Sequence, residues 1–212
     1  MLTFSERTAS ADGPDEWQRL RHALLDLNAS GGPIGVARLC ARAEVSEDGF
    51  RRVFDGWQDC FCSVLGAETA ELLRRAWLSF SGATGWANQL RAVAHAMLDF
   101  LQEDERRARL MLIDAHRGGE RGNLIRDQGM QALFAFIDLG REEMGDPESL
   151  TRTTAEAVGS SIYLQIRTRV EEGGTDSLTA LLPEMMYFAV LPYLGVEAAE
   201  AELEVAVPRE AR

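Results

Sequence analysis

The 212 residues carry 22 basic side chains, all arginine, against 34 acidic ones, for a net charge of −12. That balance excludes a chain that coats nucleic acid nonspecifically. Hydrophobic residues make up 46% of the chain, ordinary for a globular core, and no uninterrupted apolar run approaches the roughly 20 residues of a membrane span. Residues 1–14 hold Glu6 and Asp12 and no apolar core. They read as a disordered lead rather than a secretion signal, so the chain is expected in the cytoplasm. A first helix is expected from about Glu16 to Ala29, with Leu20, Ala23, Leu24 and Leu27 on one stripe. Ser30-Gly31-Gly32-Pro33 ends it. Val36, Leu39, Cys40 and Ala43 then recur at helical spacing, and Glu44-Val45 turn the chain. Ser46 suits the N-cap of another short helix, whose apolar side is Phe50, Val53 and Phe54.

Asp55-Gly56 breaks the chain before a long helix from about Trp57 to Phe80. Residues 86–101 follow, with Leu90, Val93, Met97, Leu98 and Leu101 on one face. Leu110 to Ile113 form an apolar piece that Arg117-Gly118-Gly119 stops. Further helices are expected at 121–144, 148–171 and from about Asp176 to Leu194, separated by Met144-Gly145-Asp146-Pro147 and Gly173-Gly174. No strand-type alternation occurs, so the spacing predicts an all-α chain of about nine helices.

Catalytic patterns are missing from the sequence. There is no G-x-S-x-G, no phosphate-binding glycine loop and no H-x-x-x-H pair. Glu103-Asp104-Glu105 reads as a solvated charge run. No enzyme activity, cofactor or metal is therefore expected. Cys60-Phe61-Cys62 lacks metal-ligand spacing, so with Cys40 these are expected as buried thiols, a redox sensor being the alternative.

Two short helices across a tight turn at 34–54 suit either a helix-turn-helix or an ordinary helical hairpin. The wording of the chain bears on that choice. An apolar helix ends in Ala41-Arg42-Ala43-Glu44-Val45-Ser46, runs on to Phe50 and Phe54, and reaches Asp59-Cys60-Phe61. Residues 16–66 thereby resemble the DNA-binding domain of the TetR family of transcriptional regulators. Phe100-Leu101 with Arg107-Ala108-Arg109-Leu110 resembles a segment of actinobacterial-type members. So does Leu181-Leu182-Pro183-Glu184 with Leu191-Pro192-Tyr193-Leu194-Gly195. The resemblance implies a DNA-binding domain at 15–66, a helical ligand-binding and dimerisation domain at 67–200, and a flexible tail at 201–212. It also implies a repressor that binds operator DNA as a homodimer through its last two long helices. Gly159, Ser160 and Ser161 are small enough for close helix approach there, although the same helices could simply close the monomer core.

The recognition helix of that family commonly reads Ser-x-x-Thr-apolar-Tyr-x-His-Phe. Ser46, Phe50 and Phe54 keep this frame, whereas Gly49 replaces the threonine, Arg51 the tyrosine and Val53 the histidine. Trp57 stands where a phosphate-binding lysine usually follows. The expected DNA-facing residues are Arg38, Ser46, Glu47, Asp48, Gly49, Arg51, Arg52 and Trp57. Residues 16–66 hold six arginines and seven acids, so two readings stand side by side. Either Arg51 and Arg52 take over phosphate or guanine contacts, or the fold persists as a ligand-binding or protein-interaction module without strong DNA binding. Glu47 and Asp48 would then only complement the helix dipole. For a small apolar ligand the expected lining is Trp77, Phe80, Trp86, Met97, Phe100, Met111, Phe134, Phe136 and Tyr163. His95, His116, Gln165 and Arg167 are the candidate polar anchors; the aromatic set would equally serve as core.

Overall fold

The computed structural model describes residues 14–151 and 153–206. Most of the expected lead, and the last residues of the expected tail, lie outside the described residues. Among the described residues the chain is all-helical, with nine α-helices: α1 (Pro14–Ala29), α2 (Val36–Ala43), α3 (Glu47–Val53), α4 (Trp57–Ser81), α5 (Trp86–Gln102), α6 (Glu105–Leu112), α7 (Gly119–Asp138), α8 (Thr153–Glu171) and α9 (Leu182–Leu203). Short 3₁₀ turns occur at Ala115–Gly118, Leu139–Glu143, Pro147–Ser149 and Thr175–Leu181. The helix expected at 121–144 therefore ends as an α-helix at Asp138 and tightens into a 3₁₀ turn. There Gly140 lies so close to the Trp86 ring that a Cβ would collide with it. Helix α9 likewise starts after the 3₁₀ turn and breaks at Gly195, whose φ of 82° suits a residue without Cβ.

The chain forms two compact units. The first holds residues 14–70 and 109–126. Leu20, Leu24, Leu25, Leu39, Phe50, Phe61, Leu65 and Leu110 are essentially fully buried in it. Polar ties bind its pieces. Arg21 of α1 pairs with the buried Glu68 of α4. The buried Asn28 donates through Nδ2 to Asp114 Oδ2 at 3.0 Å and accepts from Arg117 Nη1 at 3.0 Å. Arg117 Nη2 also donates to the Gly32 carbonyl at 2.8 Å, and Arg121 pairs with Asp59 at 2.5 Å.

The second unit holds residues 71–108 and 127–206. Its core includes Val93, Leu98, Phe100, Ile137, Val170, Leu178 and Val190. Trp86 Nε1 donates to the Phe136 carbonyl at 3.0 Å, fixing the start of α5 to α7. Arg91 of α5 pairs with the buried Glu202 of α9. Gly159 faces inward, where a Cβ would collide with Phe134. It thus serves packing within the second unit, while Ser160 and Ser161 are exposed. By length and composition alone, Thr175–Leu203 is apolar enough to cross a membrane, with a mean hydropathy of 1.3. In this fold Met185, Met186, Ala189 and Val190 of that stretch are buried in the second unit.

All three cysteines are free and buried. Burial pushes the Cys60 thiol up to about 12, and burial also raises Cys40 and Cys62. The thiolate is the reactive form. The native protein is therefore expected to resist a thiol reagent at pH 8, while the urea-unfolded chain reacts at three sites; prompt labelling of native Cys60 would refute this. The neutral Cys60 thiol favours folding below the ordinary thiol range near pH ~8.5, and that contribution is lost as pH rises toward about 12.

Candidate nucleic-acid interface and apolar cavity

Helices α2 and α3 are set by local chemistry. Glu44 ends α2 in the left-handed region, at φ 55°. Ser46 then caps α3, its Oγ accepting from Gly49 N at 3.0 Å, which satisfies one of the orphan N–H groups of the first turn. Phe50 and Phe54 turn inward with ring centroids 5.2 Å apart, and Trp17 of α1 lies 6.3 Å from Phe54. With that side anchored, the 3.6-residue repeat forces Glu47, Asp48, Arg51 and Arg52 outward. All four are exposed. Arg51 donates to Glu47 at 3.4 Å across one helical turn.

The remaining expected DNA-facing residues are placed differently. Gly49 is buried, and a Cβ there would lie 3.0 Å from Ser46 Oγ and 3.3 Å from Glu16 Oε1. It seats α3 against α1 rather than facing outward. Ser46 is exposed, with its hydroxyl engaged in the cap. Arg38 is exposed but donates to the Pro33 carbonyl at 2.7 Å. Trp57 is half-buried, edge-on to Phe61 at 6.3 Å. Arg42 is exposed and pairs with Asp26. Glu16 of α1 approaches α3 beside Gly49 through a tertiary contact that has no local signal.

The second unit holds a narrow cavity of about 30 Å³ between α5, α7, α8 and α9. Its wall has no polar surface and is aliphatic: Leu90, Val93, Leu98, Leu133, Ile137, Ile162, Ile166 and the flexible Met97, Met185 and Met186. A water needs roughly 10–15 Å³ on this measure, so the cavity as it stands admits about two water-sized bodies.

Of the expected ligand residues only Met97 lines this cavity. Trp77 is 60% exposed and stacks on Phe80 at 5.8 Å, which in turn meets Phe136 at 5.4 Å. Trp86 is buried as the hydrogen-bonded start of α5. Phe100 is buried between two guanidinium groups, Arg107 at 4.0 Å and Arg75 at 4.7 Å. Met111 and His116 belong to the first unit, Met111 buried and His116 exposed. His95 is half-buried on α5, and Phe134 lies against Gly159. Tyr163 and Gln165 are half-buried on α8, and Arg167 pairs with Glu171 at 2.9 Å. The cavity is built from aliphatic side chains of α5, α7 and α8 and the methionines of α5 and α9. The α8 residues in that wall, Ile162 and Ile166, stand one helical turn apart.

No family model matches the sequence, and no curated protein does. The solved structures supply the likeness. The fold is similar to that of the fatty acid degradation regulator FadR from Bacillus halodurans, with a TM-score of 0.73 and 15% identity over 84% of this chain and 95% of that one. It is also similar to a provisionally assigned transcriptional regulator from Pseudomonas aeruginosa PAO1, with a TM-score of 0.64 and 19% identity over 94% of this chain and 93% of that one. The chain therefore has an all-helical fold of the kind found in transcriptional regulators.

Proposed function

We propose that the chain is a DNA-binding transcriptional regulator of the TetR type, acting as a repressor and answering to a small apolar ligand. The observation that carries this reading is the exposed quartet Glu47, Asp48, Arg51 and Arg52 on a capped helix whose opposite side is locked by Phe50 and Phe54. A short helix presented in this way can enter the major groove. A homodimer would place two such helices about 34 Å apart on a palindromic site. Its support is the apolar outer face of α8 and α9, where Leu164 is 61% exposed and Phe188 44%. The ligand would enter by spreading the Met-lined cavity of the second unit, and would act through unequal affinity for two arrangements of the protein. The cytoplasm suits that role.

The test is an electrophoretic mobility shift with the DNA upstream of the chain's own coding region. The expected result is a shift at low salt that weakens steeply as salt rises. Arg51→Ala, on an exposed position, is expected to weaken binding about 10-fold or more while leaving the melting temperature unchanged. No shift at low salt would favour the second reading, a helical ligand-binding or protein-interaction module. The balance of two acids against two arginines on the outer face of α3 is the observation that keeps it in view.

A further inference from the structure

We infer that Glu47 and Arg51 act together as a reader of one G·C base pair in each half-site, guanine on the Arg51 side and cytosine on the Glu47 side. The inference rests on the DNA-binding reading above and specifies what that surface recognises.

Two acids, Glu47 and Asp48, stand beside Arg51 and Arg52 on the exposed side of α3. Both acids sit in the first turn of α3, where they favour the helix dipole, but on a face that met only phosphates they would also repel the DNA. Glu47 and Arg51 stand one turn apart and are both exposed, with side-chain exposures of 47% and 62%. Arg51 Nη2 lies 3.4 Å from Glu47 Oε2. The pair therefore presents, side by side, guanidinium donors and a carboxylate acceptor.

In the major groove a G·C pair presents two acceptors, N7 and O6 of guanine, followed by one donor, N4–H of cytosine. Guanine O6 and cytosine N4 are hydrogen-bonded to each other, hence about 3 Å apart. That spacing is close to the separation of the arginine nitrogen and glutamate oxygen. Donor, donor and acceptor on the protein thus meet acceptor, acceptor and donor on the DNA. An A·T pair breaks the match, because adenine N6 offers a donor where the guanidinium needs an acceptor. The arrangement also gives Glu47 a part on a surface meant for a polyanion: it holds Arg51 in the reading direction and rejects pairs that lack the cytosine donor.

The experiment is selection of binding sites from a random duplex library by the full-length protein at low salt, followed by base-analogue substitution in the selected site. The expected outcome is a motif with one invariant G·C column per half-site. Replacing that guanine by 7-deazaguanine, which removes N7, should weaken binding about 10-fold, as should N4-methylcytosine opposite it. Inosine, which alters only the minor-groove edge, should bind as guanine does. Glu47→Ala, at an exposed position, should weaken the G·C preference in that column by removing the acceptor for cytosine N4–H, while Arg51 continues to read guanine. A motif without such a column, or a column whose strength is unchanged by E47A, overturns the inference and leaves DNA binding intact. Failure of the wild-type protein to enrich any sequence overturns both the inference and the reading on which it stands.

Discussion

Phe50→Ala is expected to cost about 3–5 kcal/mol of folding stability, the range for truncating a buried phenylalanine. Phe50 is only 1% exposed, and its ring rests on Phe54 at 5.2 Å. Helix α3 has seven residues, too few to hold itself together without packing. Truncation leaves a cavity beneath the helix that carries the outward quartet. The loss should appear as a lowered denaturant midpoint, together with loss of DNA binding. Arg51→Ala supplies the contrast, since its melting should match the wild type while its binding weakens. A Phe50→Ala protein with an unchanged midpoint would show that α3 is held by something other than its aromatic underside.

Arg21→Met is expected to cost a similar amount, about 3–5 kcal/mol. The reason is asymmetry of burial: Glu68 is 3% exposed and Arg21 is 18% exposed. Removing the guanidinium takes the cation away from a carboxylate that cannot reach water. Removing the acid instead should cost less, because the long arginine stem can carry its charge outward. The double variant Arg21→Met with Glu68→Leu should recover much of the loss, since apolar groups of similar size can replace a buried ion pair at little cost. Urea unfolding of the three variants measures these differences. Equal stability of Arg21→Met and wild type would mean that the link between α1 and α4 contributes nothing.

The sequence was legible wherever a signal is local. The stripe Leu20, Ala23 and Leu24, the cap at Ser46 and the breaks at Gly31-Gly32 and Asp55-Gly56 all act over one turn of chain, and helices α1 to α5 stand within a few residues of their expected bounds. Buried thiols were expected, and all three are buried. The periodicity around Phe50 and Phe54 decided which side of α3 faces in, and so which four charges face out. The cavity was not legible in this way. Aromatic residues were expected around it, yet Trp77 faces solvent, Trp86 and Phe100 are fixed by a carbonyl and two guanidinium groups, and the wall is aliphatic.

By itself, then, the amino-acid order determined the helical class, the punctuation between helices and the inward and outward faces of the short helices, because hydrophobic period and capping are properties of neighbouring residues. Tertiary structure alone decided that Gly49 is spent on seating α3 near Glu16, that Arg117 clasps Asn28 and the Gly32 carbonyl, and that residues 109–126 join the first unit. Those outcomes depend on which distant surfaces meet. A side chain 86 or 89 positions away along the chain leaves no imprint on the local pattern that a single sequence displays.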